Sequence, residues 1–172
     1  MILWLNGTFG VGKTTTARAI REEAPAWRSF DPETVGYMLL ANLRDTPVSD
    51  FQDLAAWRSL VPRVAAALAT DTGSDLIAVQ TVLVEHYWTE LSAGARALGL
   101  DVRHVLLDCD EAVLRERIRA DEDERGAEAW RIDHLTEYAE ARPWLLRAAD
   151  LFIDTSAMPP ELVASRILAT VE

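Results

Sequence analysis

The segment Gly7-Thr8-Phe9-Gly10-Val11-Gly12-Lys13-Thr14 matches the pattern G-x-x-x-x-G-K-[ST] at every specified position. The apolar run at residues 2–5 precedes it, and a helical pattern over residues 13–23 follows it. A glycine-rich turn between a strand and a helix exposes successive backbone N–H groups as an anion nest, and the positive end of the helix lies behind them. The segment therefore predicts a phosphate-binding loop.

Each position of this loop has an expected role in holding a nucleotide, which we take to be ATP with Mg²⁺. Lys13 is expected to bridge the β- and γ-phosphates, and Thr14 to place its hydroxyl on the metal. Thr15 either adds a hydroxyl to the α-phosphate or is a neutral helix position. The backbone around the phosphates is contributed by Gly7, Phe9, Gly10, Val11 and Gly12. A turn without a ligand is the alternative, but the spacing, the lysine and the flanking elements all favour the loop.

Beyond the loop, apolar strand-like runs alternate with helical patterns. Strands are predicted at residues 2–5, 27–30, 76–79, 102–107 and 151–154, and helices at residues 13–23, 32–43, 50–70, 86–98, 111–120, 128–141 and 160–171. Asp50 is expected to cap the third helix, and Pro62 to kink or split it. Strands that are apolar throughout and separated by helices indicate a parallel sheet covered on both faces. The predicted fold class is α/β, a three-layer P-loop NTPase fold with a five-stranded parallel sheet and a short lid, in one domain spanning residues 1–172.

Composition narrows the possible partners. The net charge of −11 and the pI of about 4.7 disfavour contact with nucleic acids or anionic membranes, so no nucleic-acid partner is expected. The single cysteine, Cys109, allows no internal disulfide and fits a cytoplasmic protein with a buried, inert thiol. No apolar stretch approaches the ~18–20 residues of a membrane span, and no basic leader is evident, so we expect no integral membrane segment. Most of the six tryptophans are expected to be packing residues.

An acidic partner for the phosphate loop is expected at the end of the second strand, in Phe30-Asp31-Pro32-Glu33. Ligands of open α/β sheets bind outside the carboxyl ends of the strands, so Asp31 should face the γ-phosphate. There it would accept a substrate hydroxyl proton, hold a magnesium-bound water, or both. The alternative is that Asp31 caps the helix that begins at Pro32. Glu33 is the second candidate.

The third strand ends in Val79-Gln80-Thr81, without an acidic residue. Many P-loop enzymes carry a magnesium-associated aspartate at this place, so Asp31 is the leading acidic partner for the metal. Thr81 either approaches the substrate or is an ordinary strand-end residue.

Arginines cluster after the fourth strand, at Arg115, Arg117, Arg119 and Arg125. The guanidinium group binds phosphate oxygens bidentately and stacks on flat rings, which suits a nucleotide site. The alternative is a solvated helix face that pairs with nearby glutamates.

The segment at residues 110–117, Asp-Glu-Ala-Val-Leu-Arg-Glu-Arg, resembles the entry to the lid of nucleoside-monophosphate-kinase-like phosphotransferases. The resemblance implies that Arg117 lies against the adenine and that residues 117–131 form a lid. The next arginine of that pattern would fall at Asp121. Whether Arg119 or Arg125 takes its place is left open.

More of the chain is similar to the tunicamycin-resistance ATP-binding protein family. The similarity rests on the Trp-x-Asn-Gly-x-Phe-Gly segment at residues 4–10, on Phe-Asp-Pro-Glu at residues 30–33 followed by Gly36, on Asp-Phe-Gln at residues 50–52, and on Trp57-Arg58. It covers residues 1–120 and fades through the lid. It implies an ATP-dependent factor that protects against a nucleoside-type antibiotic by phosphorylating it.

The same resemblance implies an acceptor site in residues 32–72. Its candidate contacts are Phe51, Gln52, Trp57 and Arg58, with Thr81 and Arg125 beside them. The alternative for Phe51 and Trp57 is that they only pack the helix pair. Two rival functions are an ATP-gated protein that sequesters a drug without altering it, and a metabolic kinase for a nucleoside or sugar acid. The sequence carries no signal for the oligomeric state.

Overall fold

A five-stranded parallel sheet forms the centre of the molecule, a computed structural model that describes residues 1–121 and 125–171, without the side chain of Arg125. The strands are β1 (Ile2–Asn6), β2 (Arg28–Phe30), β3 (Leu76–Val79), β4 (Val102–Asp108) and β5 (Leu151–Asp154). They lie in the order β2-β3-β1-β4-β5, and every neighbouring pair is parallel. The predicted α/β class and the five-stranded parallel sheet are confirmed.

Helices cover both faces of the sheet. In the described part of the chain they are α1 (Lys13–Glu23), α2 (Pro32–Asn42), α3 (Ala55–Thr72), α4 (Glu85–Ala97), α5 (Glu111–Ala120), α6 (Glu128–Ala148) and α7 (Pro160–Leu168). Successive side chains of a strand point to opposite faces, so Ile2 and Trp4 pack in one core cluster while Leu3 and Leu5 pack in the other. This alternation produces three layers, with α1 and α7 packed together behind the second cluster.

The third helix starts later than predicted and is not split. Asp50 caps a short 3-10 turn, Phe51–Asp53, by accepting a hydrogen bond from the Gln52 backbone N–H, and α3 begins only at Ala55. Pro62 lies inside α3, which continues past it to Thr72. The proline ring packs on α4 at Gly94, where an added Cβ would lie 3.2 Å from the Pro62 Cγ. The packing of the proline ring on α4 therefore offsets the free-energy cost of a proline inside a helix, which removes a backbone hydrogen bond.

Helix α6 is longer than predicted, continuing past residue 141 to Ala148 with Pro143 inside it. Its last turns are held by Trp144, which is buried and donates a hydrogen bond to the Leu83 carbonyl at 3.0 Å.

Four tryptophans are buried as expected, whereas Trp130 near the start of α6 is 53% exposed. No helix among the described residues is long and apolar enough to span a membrane.

Candidate nucleotide and acceptor site

The glycines of the phosphate loop have backbone conformations that other residues rarely adopt. Gly10 and Gly12 have φ values of 75° and 97°, and Gly7 has a φ of 137°. A Cβ on Gly7 would lie 2.3 Å from the Leu107 carbonyl oxygen, because the loop passes directly over β4. Gly12 is the N-cap residue of α1. Because glycine has no side chain, it accepts no hydrogen bond from the first amides of the helix. The loop thus has the geometry that the motif predicts for an anion nest.

Lys13 lies across the mouth of this loop. Its Nζ donates hydrogen bonds to the carbonyl oxygens of Gly7 and Thr8 at 2.8 and 2.9 Å. The pKa of Lys13 is lowered to about 7, chiefly because the side chain is buried and also because Arg131 is positively charged, while the carboxylate of Glu33 opposes both effects. Lys13 is the sole lysine among the 172 residues. Its ammonium group is therefore placed where phosphate oxygens can replace the two carbonyls.

A cavity of about 1380 Å³ opens above the loop, at the carboxyl ends of the strands. Most of the predicted site residues line it: Phe9, Gly10, Val11, Gly12, Lys13, Thr14, Thr15, Phe51, Gln52, Thr81 and Arg117. Gly7 lies beneath it, and its carbonyl oxygen also accepts a hydrogen bond from the Thr81 hydroxyl at 2.9 Å. The structure therefore brings the loop, the 3-10 turn and the end of β3 around one space.

Arg117 joins the phosphate loop to the segment after β5. Its Nη2 donates to the Thr155 carbonyl at 2.8 Å, and its Nη1 lies 3.3 Å from the Thr155 hydroxyl and 3.5 Å from the Gly10 carbonyl. The apolar side chains of Met158 and Val163 line the cavity at this end. The contact between Arg117 and adenine stays a prediction.

Of the two candidate carboxylates at the start of α2, Glu33 lines the cavity and Asp31 does not. The Asp31 Oδ1 atom accepts a hydrogen bond from the Glu33 backbone N–H at 2.9 Å and caps α2, which was the alternative for this residue. Glu33 accepts a hydrogen bond from the Tyr37 hydroxyl at 2.9 Å. The catalytic and metal-binding roles of Asp31 stay predictions, and Glu33 is the carboxylate whose charge acts on the pKa of Lys13.

Two predicted acceptor contacts, Trp57 and Arg58, do not line the cavity. Trp57 is fully buried and donates its indole N–H to the Pro32 carbonyl at 3.0 Å, so it packs α3 against α2, which was the alternative for this residue. Arg58 forms an ion pair with Glu90 at 2.7 Å and donates to the Gln52 carbonyl at 2.6 Å. Their contact with an acceptor stays a prediction, and the observed bonds favour a role in positioning the 3-10 turn and α2.

Another arginine, which the sequence analysis did not single out, lies beside Asp121. Arg131 on α6 lines the cavity, donates to the Asp121 carboxylate at 2.8 Å and lies 5.4 Å from the centre of the Phe9 ring. Arg119 lies outside the cavity, 3.8 Å from Glu128, and the side chain of Arg125 lies outside the described part of the molecule. The sequence pattern does not predict this ion pair, because Asp121 follows the end of α5 and Arg131 lies ten residues later, in α6.

Two buried polar atoms of the cavity wall lack hydrogen-bond partners. They are the Thr8 hydroxyl, in a residue that is 1% exposed, and the Gln80 Oε1 atom, in a residue that is 4% exposed. Unpaired buried polar atoms are costly, and at a ligand cavity they indicate groups that a ligand completes. Among the described residues no cluster of three or more His, Cys, Asp or Glu side chains could hold a metal ion. The Thr14 hydroxyl is an oxygen ligand that would suit Mg²⁺ carried by nucleotide phosphates, as the motif implies.

The fold and the loop define an α/β P-loop protein of the small-molecule-kinase type. The model of the AAA domain family matches residues 2–141, and the chain belongs to that family. No curated protein sequence matches it significantly.

Solved structures extend the likeness to nearly the whole chain. The tunicamycin resistance protein of Deinococcus radiodurans is 26% identical, with a TM-score of 0.74 over 99% of this chain and 94% of that one. A sugar kinase from Janibacter (20% identity, TM-score 0.66, 99% and 93% covered) and a gluconokinase from Sinorhizobium meliloti (18%, 0.67, 97% and 89%) share the fold. The resemblance predicted from the sequence is confirmed by the first of these structures.

Proposed function

We propose that the protein is an ATP-dependent phosphotransferase that acts on a hydroxyl of a small molecule. The observation that carries the proposal is one cavity that joins the phosphate loop to the carboxylate of Glu33. Glu33 lies near enough to Lys13 to oppose the effect of burial on the pKa of that lysine. A phosphoryl group held by Lys13 would therefore lie beside a group that can accept a proton.

Different residues around the cavity bind different parts of the nucleotide and the acceptor. Lys13 and the first amides of α1 hold the phosphates, and Thr14 offers its hydroxyl to the metal. Mg²⁺, when bound, neutralises the charge on the phosphate oxygens. Arg117 covers the adenine, and Arg131 faces the phosphates from α6. Residues 32–72 form the acceptor side and residues 117–131 the lid, within one domain spanning residues 1–172, and lid closure would exclude water.

The proposed reaction is an in-line displacement. The acceptor oxygen forms a bond to the γ-phosphorus while the bond from that phosphorus to the bridging oxygen breaks, and ADP leaves with the bridging oxygen. Glu33 accepts the proton of the acceptor hydroxyl. Asp31 is the rival base from the sequence, and the comparison of Asp31→Asn with Glu33→Gln distinguishes them. As a consumer of ATP, the enzyme would act in the cytoplasm.

The finer proposal is that the acceptor is a nucleoside antibiotic such as tunicamycin. It rests on the likeness to the Deinococcus radiodurans structure, which is named for tunicamycin resistance. A second candidate is ATP-gated binding of a drug without chemistry. The observation that favours this candidate is the neutral Gln80 at the end of β3, where many P-loop enzymes carry a carboxylate.

The test is incubation of the purified protein with ATP, Mg²⁺ and a panel of nucleoside antibiotics, nucleosides and sugars, followed by mass spectrometry. We expect one compound to gain a single phosphoryl group and to release ADP in equal amount. The product should be absent with Lys13→Ala and reduced at least a hundredfold with Glu33→Gln, since general-base catalysis contributes about 10² to 10⁴.

Glu140→Gln is the matched control, because Glu140 is exposed on α6 and lies outside the cavity. It should retain full activity. If a compound binds only in the presence of ATP and gains no phosphoryl group, the proposed phosphotransferase activity is wrong. The second candidate, ATP-gated binding without chemistry, would then remain. Full activity in Glu33→Gln with none in Asp31→Asn would return the role of base to Asp31.

A further inference from the structure

Charge is unevenly distributed around the cavity. The cationic side chains lie on the loop, α5 and α6, and they are Lys13, Arg117 and Arg131. Away from the loop, carboxylates line the cavity from α2, the 3-10 turn and its cap, namely Glu33, Asp50 and Asp53, while Glu137 lines it from α6. The phosphate side of the cavity thus suits an anion, and the acceptor side carries negative charge.

The carboxylates of the acceptor wall are held by neutral donors. Asp50 accepts a hydrogen bond from the Gln52 backbone N–H at 2.8 Å, and Asp53 accepts one from the Tyr87 hydroxyl at 2.8 Å. Among the described residues no lysine or arginine lies within 4.0 Å of Glu33, Asp50 or Asp53. Asp50 and Asp53 are exposed and close in sequence, and neighbouring like charges repel one another unless a cation joins them.

The surroundings of Asp50 raise its pKa. Desolvation raises the pKa of Asp50, the neighbouring charges of Asp53 and Glu137 raise it further, and the backbone N–H of Gln52 and the charge of His134 lower it. The 3-10 turn and α6 both line this end of the cavity. His134 is the basic side chain that acts on Asp50 there, and its Nε2 atom lies 3.7 Å from the Glu137 carboxylate.

The nearest arginine of α3 does not supply that charge. Arg58 pairs with Glu90 and donates to the Gln52 carbonyl, and its guanidinium group lies 4.3 Å from the centre of the Tyr87 ring. Its side chain does not line the cavity.

A second, independent feature of the same wall is Gln80. Its Nε2 atom donates to the Thr81 carbonyl at 3.3 Å, which fixes the orientation of the amide and leaves the Oε1 atom as an acceptor without a donor. The residue is 4% exposed and lines the cavity. Such an oxygen requires an N–H or O–H donor from whatever occupies the space.

Gln52 connects this oxygen to the acidic wall. Its backbone N–H binds Asp50, and its side-chain amide donates to the same Thr81 carbonyl that Gln80 uses, at 3.1 Å. The orphan acceptor and the carboxylates therefore lie on either side of one residue. Gln80, Asp50 and Asp53 all line the same cavity.

We propose that the acceptor side binds a hydroxyl-bearing molecule with a protonated amine, an amino sugar or an aminonucleoside, whose ammonium group lies against Asp50 and Asp53 and which donates a hydrogen bond to the Oε1 atom of Gln80. The proposal rests on the phosphotransferase function and names its substrate class. The amine is a binding group only, and the phosphoryl group goes to a hydroxyl. An acceptor carrying a carboxylate or a phosphate would be repelled by the same wall.

The test compares acceptors that differ mainly in charge: glucosamine, glucose and gluconate, and 3′-amino-3′-deoxyadenosine beside adenosine. Binding is measured by calorimetry with a non-hydrolysable ATP analogue and Mg²⁺ present, and ADP release is measured separately with ATP. We expect at least one amine-bearing compound to bind about tenfold more tightly than its neutral counterpart, and gluconate to bind most weakly.

Asp50→Asn and Asp53→Asn should each abolish this preference. Asparagine caps a turn as well as aspartate does, so Asp50→Asn should keep the 3-10 turn folded. Asp71→Asn is the matched control, because it changes the net charge equally from an exposed site on α3 outside the cavity. Gln80→Met should weaken the amine-bearing ligand severalfold without altering the affinity for the ATP analogue.

The outcomes separate this proposal from the function on which it rests. Phosphorylation of a neutral or anionic acceptor, without preference for an amine, would overturn the substrate class and keep the phosphotransferase. Selective binding of an amine-bearing ligand without ADP release would keep the site and overturn the phosphotransferase. A preference that persists in Asp50→Asn and Asp53→Asn, or the absence of binding by every amine-bearing compound, would overturn the proposed site.

Discussion

At the scale of single residues, Gly36 fixes the position of the acceptor wall. It lies in α2, and a Cβ built on it would lie 2.5 Å from the Phe51 ring. Phe51 in turn packs on Trp57, with 5.3 Å between the ring centres. The absence of a side chain at position 36 is therefore what allows the 3-10 turn to lie against α2.

We predict that Gly36→Ala displaces Phe51 and costs about 1 to 3 kcal/mol of unfolding free energy, although alanine favours the helix. Acceptor binding should weaken while the affinity for an ATP analogue stays the same. Urea unfolding and calorimetry measure the two effects. The double variant Gly36→Ala with Phe51→Leu should recover part of the lost stability because the smaller side chain relieves the overlap. Strict additivity of the two single effects would contradict this account.

Residue-level prediction from sequence reaches further at the phosphate loop than at the acceptor wall. The loop is a local motif, so Gly7 to Thr14 could be identified from spacing alone. The choice between Asp31 and Glu33 depends on which side chain the first turn of α2 directs into the cavity. The roles of Trp57 and Arg58 depend on their partners Pro32 and Glu90. These partners are distant in sequence, so the local pattern does not predict the contacts.

At the scale of elements, α6 is anchored to the sheet through Asp108 at the end of β4. The Tyr138 hydroxyl donates to Asp108 at 2.8 Å, and Arg142 donates to the same carboxylate at 2.8 Å. Burial and the hydrogen bond to this carboxylate raise the pKa of Tyr138, so the hydroxyl stays a donor. One end of the helix is thereby fixed to the core, while Arg131 and His134 line the cavity from the other end.

Tyr138→Phe should lower the unfolding free energy by about 1 to 3 kcal/mol, because it removes one donor from a buried carboxylate. Tyr87→Phe is the matched control. It removes a hydroxyl bond of the same 2.8 Å length to Asp53, which is exposed, so its cost should be far smaller. Denaturant unfolding of both variants measures the difference. Equal costs would show that Asp108 does not depend on Tyr138.

Element boundaries were predictable where the signal is local. Strands of uniform apolar character and the proline at the start of α2 and α7 identified most elements to within a few residues. The start of α3 was wrong because Asp50 has the same capping chemistry for a short turn as for a long helix. The end of α6 was wrong because the contact of Trp144 with Leu83, 61 residues away, decides it.

At the scale of the whole molecule, a buried histidine couples stability to pH. His104 is fully buried between Asn6 and the Ala148 carbonyl, and its ring lies 4.1 Å from that of Trp88. Burial lowers the pKa of His104 to about 4, below its usual 6.5. Between these values the unfolded chain binds the proton and the folded protein does not, so stability falls as the pH decreases from 6.5 to 4.

This histidine should remove about 3 kcal/mol of stability across that window, at 1.36 kcal/mol for each pKa unit. In His104→Gln the dependence of the unfolding free energy on pH should be shallower by up to one proton between pH 4 and 6.5. His86→Gln, at an exposed position, should retain the wild-type slope. An unchanged slope in His104→Gln would contradict the assignment.

The single lysine of the chain has a practical consequence for chemical labelling. A reagent that acylates amines finds two targets, the amino terminus beside Asp75 and Lys13 in the phosphate loop. Acylation at Lys13 would mark the nucleotide site directly. Trypsin does not cleave after an acylated lysine, so the amount of peptide left uncut at Lys13 would measure how well a bound nucleotide protects this site. Coupling to an amine-reactive resin would likewise attach the protein through its terminus or block its phosphate loop, so immobilisation is better directed to another chemistry.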